Sequence, residues 1–469
     1  MTWHRTASQW FRLPAGSLWD VLADLRRWPD WNPAVAEASL DGPLAEGATG
    51  HYVPASRLMG GLHRRTAPAF TVTGAEPGKR LAFRQPQPGR GWQDVSWTLE
   101  ERDGGTLFTQ SVVLDGPLAQ QFGLTAGEPL VRGFAAQCAR LYRLAATDSP
   151  TDAHDAEPPR ALTVLAGGSG SLGTLLAADL TCSGHEVAVL TRSFKPSPFR
   201  QIIWDGRSQG EWTAELGAHE RLNIVNLSGV SLDRPGTEEN LALLRETRVE
   251  PTRALVTASR GWPRPVERWV QQSAVGIYGD SPEPMDESTP PPADARGLAR
   301  VVRDWEAAFD GAAAVHSTVL RTGVVLERDA EILARLTTPA RMGAGGHLGT
   351  GAQWFSWIHA ADWLRIARAA LGLPLSAGEG TLELPDGVVN ATSPQPVQNR
   401  ELMAHIREFV GMPVGIPAPA GLLRAVAGVL RTNPDLALDS VRALPGVLKA
   451  AGFEFRYPQL AAAFREMGA

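Results

Sequence analysis

The stretch LAGGSGSLGTLLAADL, Leu165 to Leu180, spaces Gly167, Gly170 and Gly173 at i, i+3 and i+6. The apolar run ALTVLAGG leads into it, and Leu172, Leu175, Leu176 and Leu180 continue from it at helical spacing. Strand, glycine turn and helix in this order prepare a site for a pyrophosphate. The first glycine allows the tight turn, the second lets backbone approach the phosphates, and the third lets helix and strand pack closely. The start of the helix then offers free N–H groups and the positive end of its dipole. A tight structural turn is the competing explanation. A second strand, HEVAVLTR, arrives on schedule and favours a dinucleotide.

The alternation continues outward from this turn. RLNIVNLSG reads as a strand followed by an amphipathic helix through Asn240–Thr247, and RWVQQSAVGIYGD and HSTVLRTGVVL read as later strands. This is the rhythm of an α/β Rossmann fold, a doubly wound parallel sheet, expected over 161–393. A small helical C-terminal region, 394–469, follows: NRELMAHIREFVG, PAGLLRAVAGVL and DSVRALPGVLKAAGF. Upstream, TDSPTDAHDAEPPR (Thr147 to Arg160) is nearly devoid of apolar residues and reads as a linker. Residues 1–146 form a further unit. Ala7 to Leu13 is a strand candidate, and PAGSLWDVLADLRRW is helical. Hairpins turn at Glu76–Lys79 and at Asp103–Gly105, and a long helix carries Val131, Phe134, Cys138, Leu141 and Leu144. An antiparallel sheet gripping that helix, an α+β helix-grip domain, fits this order.

Composition narrows the function. The 469 residues carry a net charge of −5 with acids and bases well mixed, so neither a nucleic-acid face nor a membrane-surface patch is expected. No run approaches the ~20 apolar residues of a membrane span, and MTWHRTASQWFRL lacks the layout of a signal peptide. Cys138 and Cys182 lie far apart in helical patterns, which argues for packing, a reducing cytoplasmic setting and no metal centre. The sequence leaves oligomeric state open. Seven of the 15 tryptophans fall in the first hundred residues, either filling a core or lining a cavity for an apolar ligand.

Cofactor choice is read at the end of the second strand. An NAD enzyme places Asp or Glu there for the ribose 2′-hydroxyl. This chain has Thr191 and Arg192 and no carboxylate, so NADP is expected over NAD, with Arg192 facing the 2′-phosphate.

Several ordered motifs add a resemblance. The glycine loop, NLSG (Asn226 to Gly229), SAVGIYGD, RDWE, LRTGVVL and QWFSWIHAAD together resemble extended, atypical short-chain dehydrogenases of the sugar-nucleotide epimerase-like (NAD-dependent epimerase/dehydratase) family. ALPGVLKAAGFEFRYPQL resembles the small domain of unknown function that closes this subfamily. The layout of residues 2–146 resembles the START-like polyketide cyclase/dehydratase superfamily. The resemblance implies a cofactor site at Gly167, Gly170, Ser171, Leu172, Gly173, Thr191, Arg192, Asn226, Leu227, Ser228 and Gly229. It implies Ser273 beside the nicotinamide as a donor to the substrate oxygen, and Gln353, Trp354, Trp357 and His359 toward a small-molecule substrate; Tyr278, usually structural in the family pattern, is a further acid candidate as the only tyrosine between residues 143 and 456.

One departure is decisive for the chemistry. Family members use a Tyr-x-x-x-Lys pair, in which the lysine lowers the tyrosine pKa. Counting back from Glu306 puts that pair at Leu298 and Val302, both apolar. No lysine occurs between Lys195 and Lys449. Three functions remain open: an NADP-dependent oxidoreductase or epimerase-like enzyme with a substituted acid acting on a small carbonyl, sugar-nucleotide or apolar substrate; a non-catalytic NADP-binding sensor or scaffold; and a carrier of an apolar ligand through the N-terminal domain.

Overall fold

The computed structural model describes residues 2–55, 68–87, 90–148, 161–430 and 432–468. Most of the expected linker, 149–160, thus lies outside the described residues. The N-terminal strands are β1 (Thr2–Phe11), β2 (Val35–Leu40), β3 (Thr49–Pro54), β4 (Phe70–Glu76), β5 (Arg80–Gln87), β6 (Gly91–Arg102) and β7 (Gly105–Asp115). They form one antiparallel sheet in the order β1-β7-β6-β5-β4-β3-β2. Along β7 every second residue is buried, the period that turns one face of a strand to a core. Helices α1 (Ala15–Ala23) and α2 (Phe134–Asp148) contribute Leu18, Leu22, Cys138 and Leu141 to that core. The first strand is longer than expected and pairs with β7 along its whole length. The expected long helix is interrupted at Arg132 and Gly133, where Gly133 takes φ +71 and Val131 ends a separate turn.

The cavity envisaged between sheet and helix is filled. Trp28, Trp97 and Phe83 contact one another with ring centroids 4.9, 5.2 and 5.7 Å apart, and Phe70 and Trp31 close the cluster. The void left among them is about 10 Å³, room for at most one water. Of the seven tryptophans in the first hundred residues, Trp3, Trp28, Trp31 and Trp97 are buried and supply packing, whereas Trp10 and Trp19 are half-buried and Trp92 is exposed.

The second sheet is parallel: β8 (Leu162–Ala166), β9 (Val187–Thr191), β10 (Arg200–Ile203), β11 (Leu222–Asn226), β12 (Val266–Ala274), β13 (Ala314–Thr322) and β14 (Gly387–Ala391). Their order is β10-β9-β8-β11-β12-β13-β14, with crossover helices α3 (Ser171–Cys182), α4 (Glu238–Gly261), α5 (Gly297–Ala307), α6 (Glu331–Arg341) and α7 (Ala360–Ala370). β8 is all buried (Leu162, Thr163, Val164, Leu165, Ala166), as a strand covered on both faces must be. Strand order reverses at β8, so a crevice opens beyond the ends of β8 and β11, where ligands bind in such sheets.

Two local expectations change. SAVGIYGD is not strand throughout: β12 stops at Ala274 and Val275–Tyr278 form a 3-10 turn. DSVRALPGVLKAAGF is not one helix: Val441–Ala443 pair in parallel with Ser281–Met285, and only Gly446–Ala450 are helical. Pro445 cannot continue a helix begun upstream, because it lacks an N–H and clashes with the preceding turn.

The two halves meet where α2 packs on α3. Arg12 N–H donates to the Cys182 carbonyl at 2.8 Å. Cys182 packs into the N-terminal core and Ala139 into the core of the parallel sheet. Both cysteines are free and buried, and burial pushes both thiols well above the ordinary range. Among the described residues no helix is long and apolar enough to cross a membrane, and no group of metal-binding side chains comes together.

Trp97 tests the filled interior. Its ring is buried and its Nε1–H donates to buried Gln110 at 2.9 Å. Trp97→Ala should destabilise the N-terminal domain by about 3–5 kcal/mol, leaving a cavity and an orphaned amide. Denaturant unfolding followed by circular dichroism measures it; a change under about 1 kcal/mol would mean the cluster collapses freely.

Candidate functional site

The glycine turn has the shape a pyrophosphate needs. Gly167 takes φ +78, and a Cβ there would lie 2.6 Å from the Leu227 carbonyl oxygen. A Cβ on Gly173 would lie 2.5 Å from Gly168 Cα, so helix and loop touch only because both are bare. At Gly170 the space is open, with only the Gly167 oxygen at 3.4 Å from a Cβ. Gly170 starts α3 without a side-chain cap, which leaves the first N–H groups at Ser171, Leu172 and Gly173 for a ligand. Ser171 is exposed and Leu172 half-buried beside them.

The neighbouring strand ends complete this cradle. Thr191 donates from Oγ1 to the Ser193 carbonyl at 3.0 Å and shapes the turn, and exposed Arg192 has no ion pair among the described residues. Asn226 is wholly buried, and its side chain is used up inside the fold. Its Nδ2 donates to Thr252 Oγ1 at 2.9 Å and Gln271 Oε1 at 3.0 Å, and its Oδ1 accepts from Ser228 N–H at 3.1 Å. Asn226 thus fixes the turn after β11 and leaves contact to its successors. Ser228 Oγ and Gln272 Oε1 are buried without a partner among the described residues, and both residues border the same cavity. Open backbone, uncapped helix and orphaned polar atoms fit a dinucleotide.

That cavity, about 1030 Å³, runs from Leu172 and Leu227 past Ser273 to the C-terminal segment at Asn433–Val441. Leu298 and Val302 of α5 line it, so apolar side chains do stand at the positions counted for the acid–base pair. Beside them lies an ion-paired clamp. Arg321 on β13 grips Glu306 of α5 with both arms, Nε to Oε1 and Nη2 to Oε2, each at 2.8 Å. Ser273, opposite Arg321 in the sheet register, donates its hydroxyl proton to Glu306 Oε1 at 2.5 Å. The remaining Arg321 nitrogen, Nη1, donates to the Tyr278 oxygen at 3.1 Å.

The two catalytic candidates are therefore joined through one arginine but differ in reach. Ser273 borders the cavity. Tyr278 does not. Its hydroxyl lies within hydrogen-bond distance of the Asn390 side chain at 3.0 Å and the Asp286 carbonyl at 2.9 Å, and burial raises its pKa. An extended strand would have put Ser273 and Tyr278 on opposite faces; the 3-10 turn swings the tyrosine back to Arg321. The expected direction of the serine hydrogen bond is also reversed. A hydroxyl has one proton, and here Glu306 takes it, so Ser273 turns lone pairs toward the cavity.

Of the four substrate candidates only Trp354 borders the cavity, with Arg442 4.2 Å above its ring. Gln353 spends its amide on the carbonyls of Leu348 and Ala437, at 2.9 and 2.8 Å. Trp357 is fully buried and donates to the Gln395 carbonyl at 3.0 Å. His359 caps α7, accepting from Ala361 N–H at Nδ1 and meeting Glu466 at 3.0 Å through Nε2. These three spend their polar groups inside the fold, an outcome that short polar–aromatic motifs do not reveal. Missed from sequence were Glu306 and Arg321, opposite charges of the motifs RDWE and LRTGVVL that pair only in the fold. Arg248 and Asp439, also on the cavity wall, were missed too.

A glycine turn at the strand-order reversal, beside a large cavity lined in part by a C-terminal segment, is the arrangement of a Rossmann protein of the epimerase/dehydratase type. The model of the NAD dependent epimerase/dehydratase family matches residues 163–381. That of polyketide cyclase / dehydrase and lipid transport proteins matches 2–147, and a domain of unknown function, DUF1731, matches 418–467. The chain is 32% identical over 308 residues to the epimerase family protein SDR39U1 of Bos taurus, covering 65% of this chain and 98% of that protein. The crystal structure of human SDR39U1 (isoform2) with NADPH is 30% identical, covers 66% of this chain and 99% of that one, and superposes with a TM-score of 0.54. The nucleoside-diphosphate sugar epimerase of Corynebacterium glutamicum covers 99% of this chain at 24% identity and TM-score 0.57, a likeness of fold that includes the N-terminal domain. The chain belongs to this epimerase family.

Asp439 gives the cavity a titration. Partial burial, with Asp435 and Asp280 nearby, pushes its pKa up to about 6. A carboxyl harder to ionise folded than unfolded costs nothing below about pH 4 and its full penalty above about pH 6. Asp439→Asn should thus raise the melting temperature at neutral pH and leave it unchanged at about pH 4. A gain of equal size at both would remove Asp439 ionisation as its source.

Proposed function

We propose that this protein is an NADP-dependent oxidoreductase of the epimerase/dehydratase type, acting on a small hydroxyl- or carbonyl-bearing substrate. One observation carries the reading: Leu172 of the glycine turn, Leu227 to Gly229 after β11, and Ser273, held by Glu306, border one continuous cavity. The dinucleotide would lie on the N–H groups at Gly170–Gly173 and along Leu227 to Gly229, with Arg192 toward a 2′-phosphate. NADPH in the related human structure supports that choice. Such a cofactor supplies or accepts hydride. The division into units 1–146, 161–393 and 394–469 belongs to the same proposal, with the last unit completing the substrate cavity through Asn433, Asp435 and Asp439.

Ser273 holds the reacting oxygen. Glu306 fixes the serine hydroxyl: a substrate alcohol donates to the serine lone pair, and a substrate carbonyl accepts the serine O–H once that hydroxyl rotates from Glu306 toward the cavity. Arg321 keeps Glu306 in place, and Tyr278 keeps Arg321 in place. The Tyr-x-x-x-Lys route is closed, since Leu298 and Val302 move no proton. That same pair of apolar residues favours a second reading, in which the protein binds NADPH as a redox-linked sensor without turnover.

Calorimetry tests the cofactor. NADPH should bind at least about tenfold tighter than NADH, the worth of a charge-assisted contact of roughly 1.5–3 kcal/mol, and Arg192→Ala should narrow the gap. Equal affinities in the unmodified protein would sink the assignment. Single-turnover NADPH oxidation across aldehydes, ketones and sugar nucleotides separates the two readings. The enzyme reading expects oxidation with at least one, slowed roughly tenfold by Ser273→Ala through one lost hydrogen bond, with NADPH affinity unchanged. No oxidation with any of them supports the sensor.

A further inference from the structure

Arg248 of α4 is buried, at 6% exposure, and borders the cavity, yet no carboxylate pairs with it among the described residues. Its Nη1 donates to the Leu244 carbonyl at 3.1 Å and its Nη2 to the Val230 carbonyl at 2.9 Å. The guanidinium lies 5.3 Å above the Trp305 ring. Five N–H donors are available to an arginine, so three have no partner among the described residues. Burial and the nearby charge of Arg234 lower its pKa to about 10. Arg234 has no carboxylate partner among the described residues either. Carbonyl dipoles and a ring face soften the cost of burying this charge, but they do not neutralise it.

The surroundings are built for the arginine. Gly229 takes φ +152, and a Cβ there would come 2.8 Å from Arg248 Cζ, so only glycine lets the guanidinium lie flat against the chain. Next to Gly229 stands Ser228, 6% exposed, whose Oγ has no hydrogen-bond partner among the described residues. A buried cation without an anion and a buried hydroxyl without an acceptor thus stand on either side of Gly229 in one cavity wall. Both lack the same thing: an oxygen ligand carrying negative charge. Of the other two arginines that line the cavity, Arg296 is exposed to solvent, and Arg335 is already matched by Asp233 at 2.6 Å and Glu331 at 2.8 Å.

We infer that Arg248 and Ser228 form an oxyanion subsite, which takes a phosphate or carboxylate group of the molecule bound in the cavity. The inference deepens the proposed function and rests on its assignment of this cavity as the ligand site. The oxyanion could belong to the dinucleotide or to the substrate, and the two sources give different results.

The test is calorimetry on the full-length protein and on Arg248→Met, Arg248→Lys and Ser228→Ala, each with its melting temperature recorded. NADP⁺ is titrated first; sodium phosphate is then titrated with and without saturating NADP⁺. If the oxyanion is the cofactor's, Arg248→Met weakens NADP⁺ tenfold or more, Arg248→Lys restores part of the loss, and phosphate competes with NADP⁺. If it is the substrate's, NADP⁺ binds all variants within about twofold, while phosphate binds the NADP⁺-saturated protein and is lost in Arg248→Met. Should Arg248→Met unfold, Arg248→Lys and Ser228→Ala carry the same comparison with smaller losses. Unchanged NADP⁺ and phosphate binding in every folded variant overturns the subsite. A protein that binds phosphate at Arg248 but never NADP⁺ keeps the subsite and refutes the cofactor assignment instead.

Discussion

The bidentate pair between Arg321 and Glu306 is the contact on which the cavity wall depends. It ties β13 to α5 and, through Ser273, both to β12. It reaches further through Tyr278 to Asn390, which donates to the Leu444 carbonyl of the C-terminal segment at 3.0 Å. Desolvating two charges is expensive, and losing one partner leaves the other unpaired at a cost of about 3–5 kcal/mol. The pair persists because each of the three Arg321 nitrogens has an acceptor. Its consequence is chemical as well as structural, since it decides which way the Ser273 proton points.

The N-terminal domain contributes differently. Its interior is filled by rings, and none of its described residues borders the cavity. It docks at the far end of α3, where Arg12 meets Cys182, while the glycine turn proposed for the dinucleotide lies at the start of the same helix. One helix therefore carries both contacts at opposite ends. Among the described residues the void inside this aromatic cluster holds at most about one water.

Local chemistry was legible in the sequence and long-range pairing was not. The glycine turn, the parallel sheet, the absent carboxylate after Thr191 and the apolar Leu298 and Val302 could be read directly, because each depends on neighbours a few residues away. The clamp could not, because Ser273 meets Arg321 only through strand register and Glu306 only through helix packing. Tyr278 looked misplaced as long as β12 was taken to run on; a 3-10 turn of four residues moved it. His359, Gln353 and Trp357 carried the right residue types for substrate contact, but backbone groups and Glu466 had first claim on them. The aromatic cluster could equally have lined a cavity or filled it, and only the packing of rings decides between the two.

The central claim is that Ser273 acts through its hold on Glu306, in place of the missing tyrosine and lysine. A double-mutant cycle on the single-turnover rate of NADPH oxidation tests it most directly, using Ser273→Ala, Glu306→Gln and the double variant, with NADPH affinity measured on each. If the two residues work as one unit, the double variant is no slower than the slower single variant, because removing either already removes the oriented contact. Losses that multiply, with NADPH binding intact, would show that the serine and the glutamate act independently and would contradict the account.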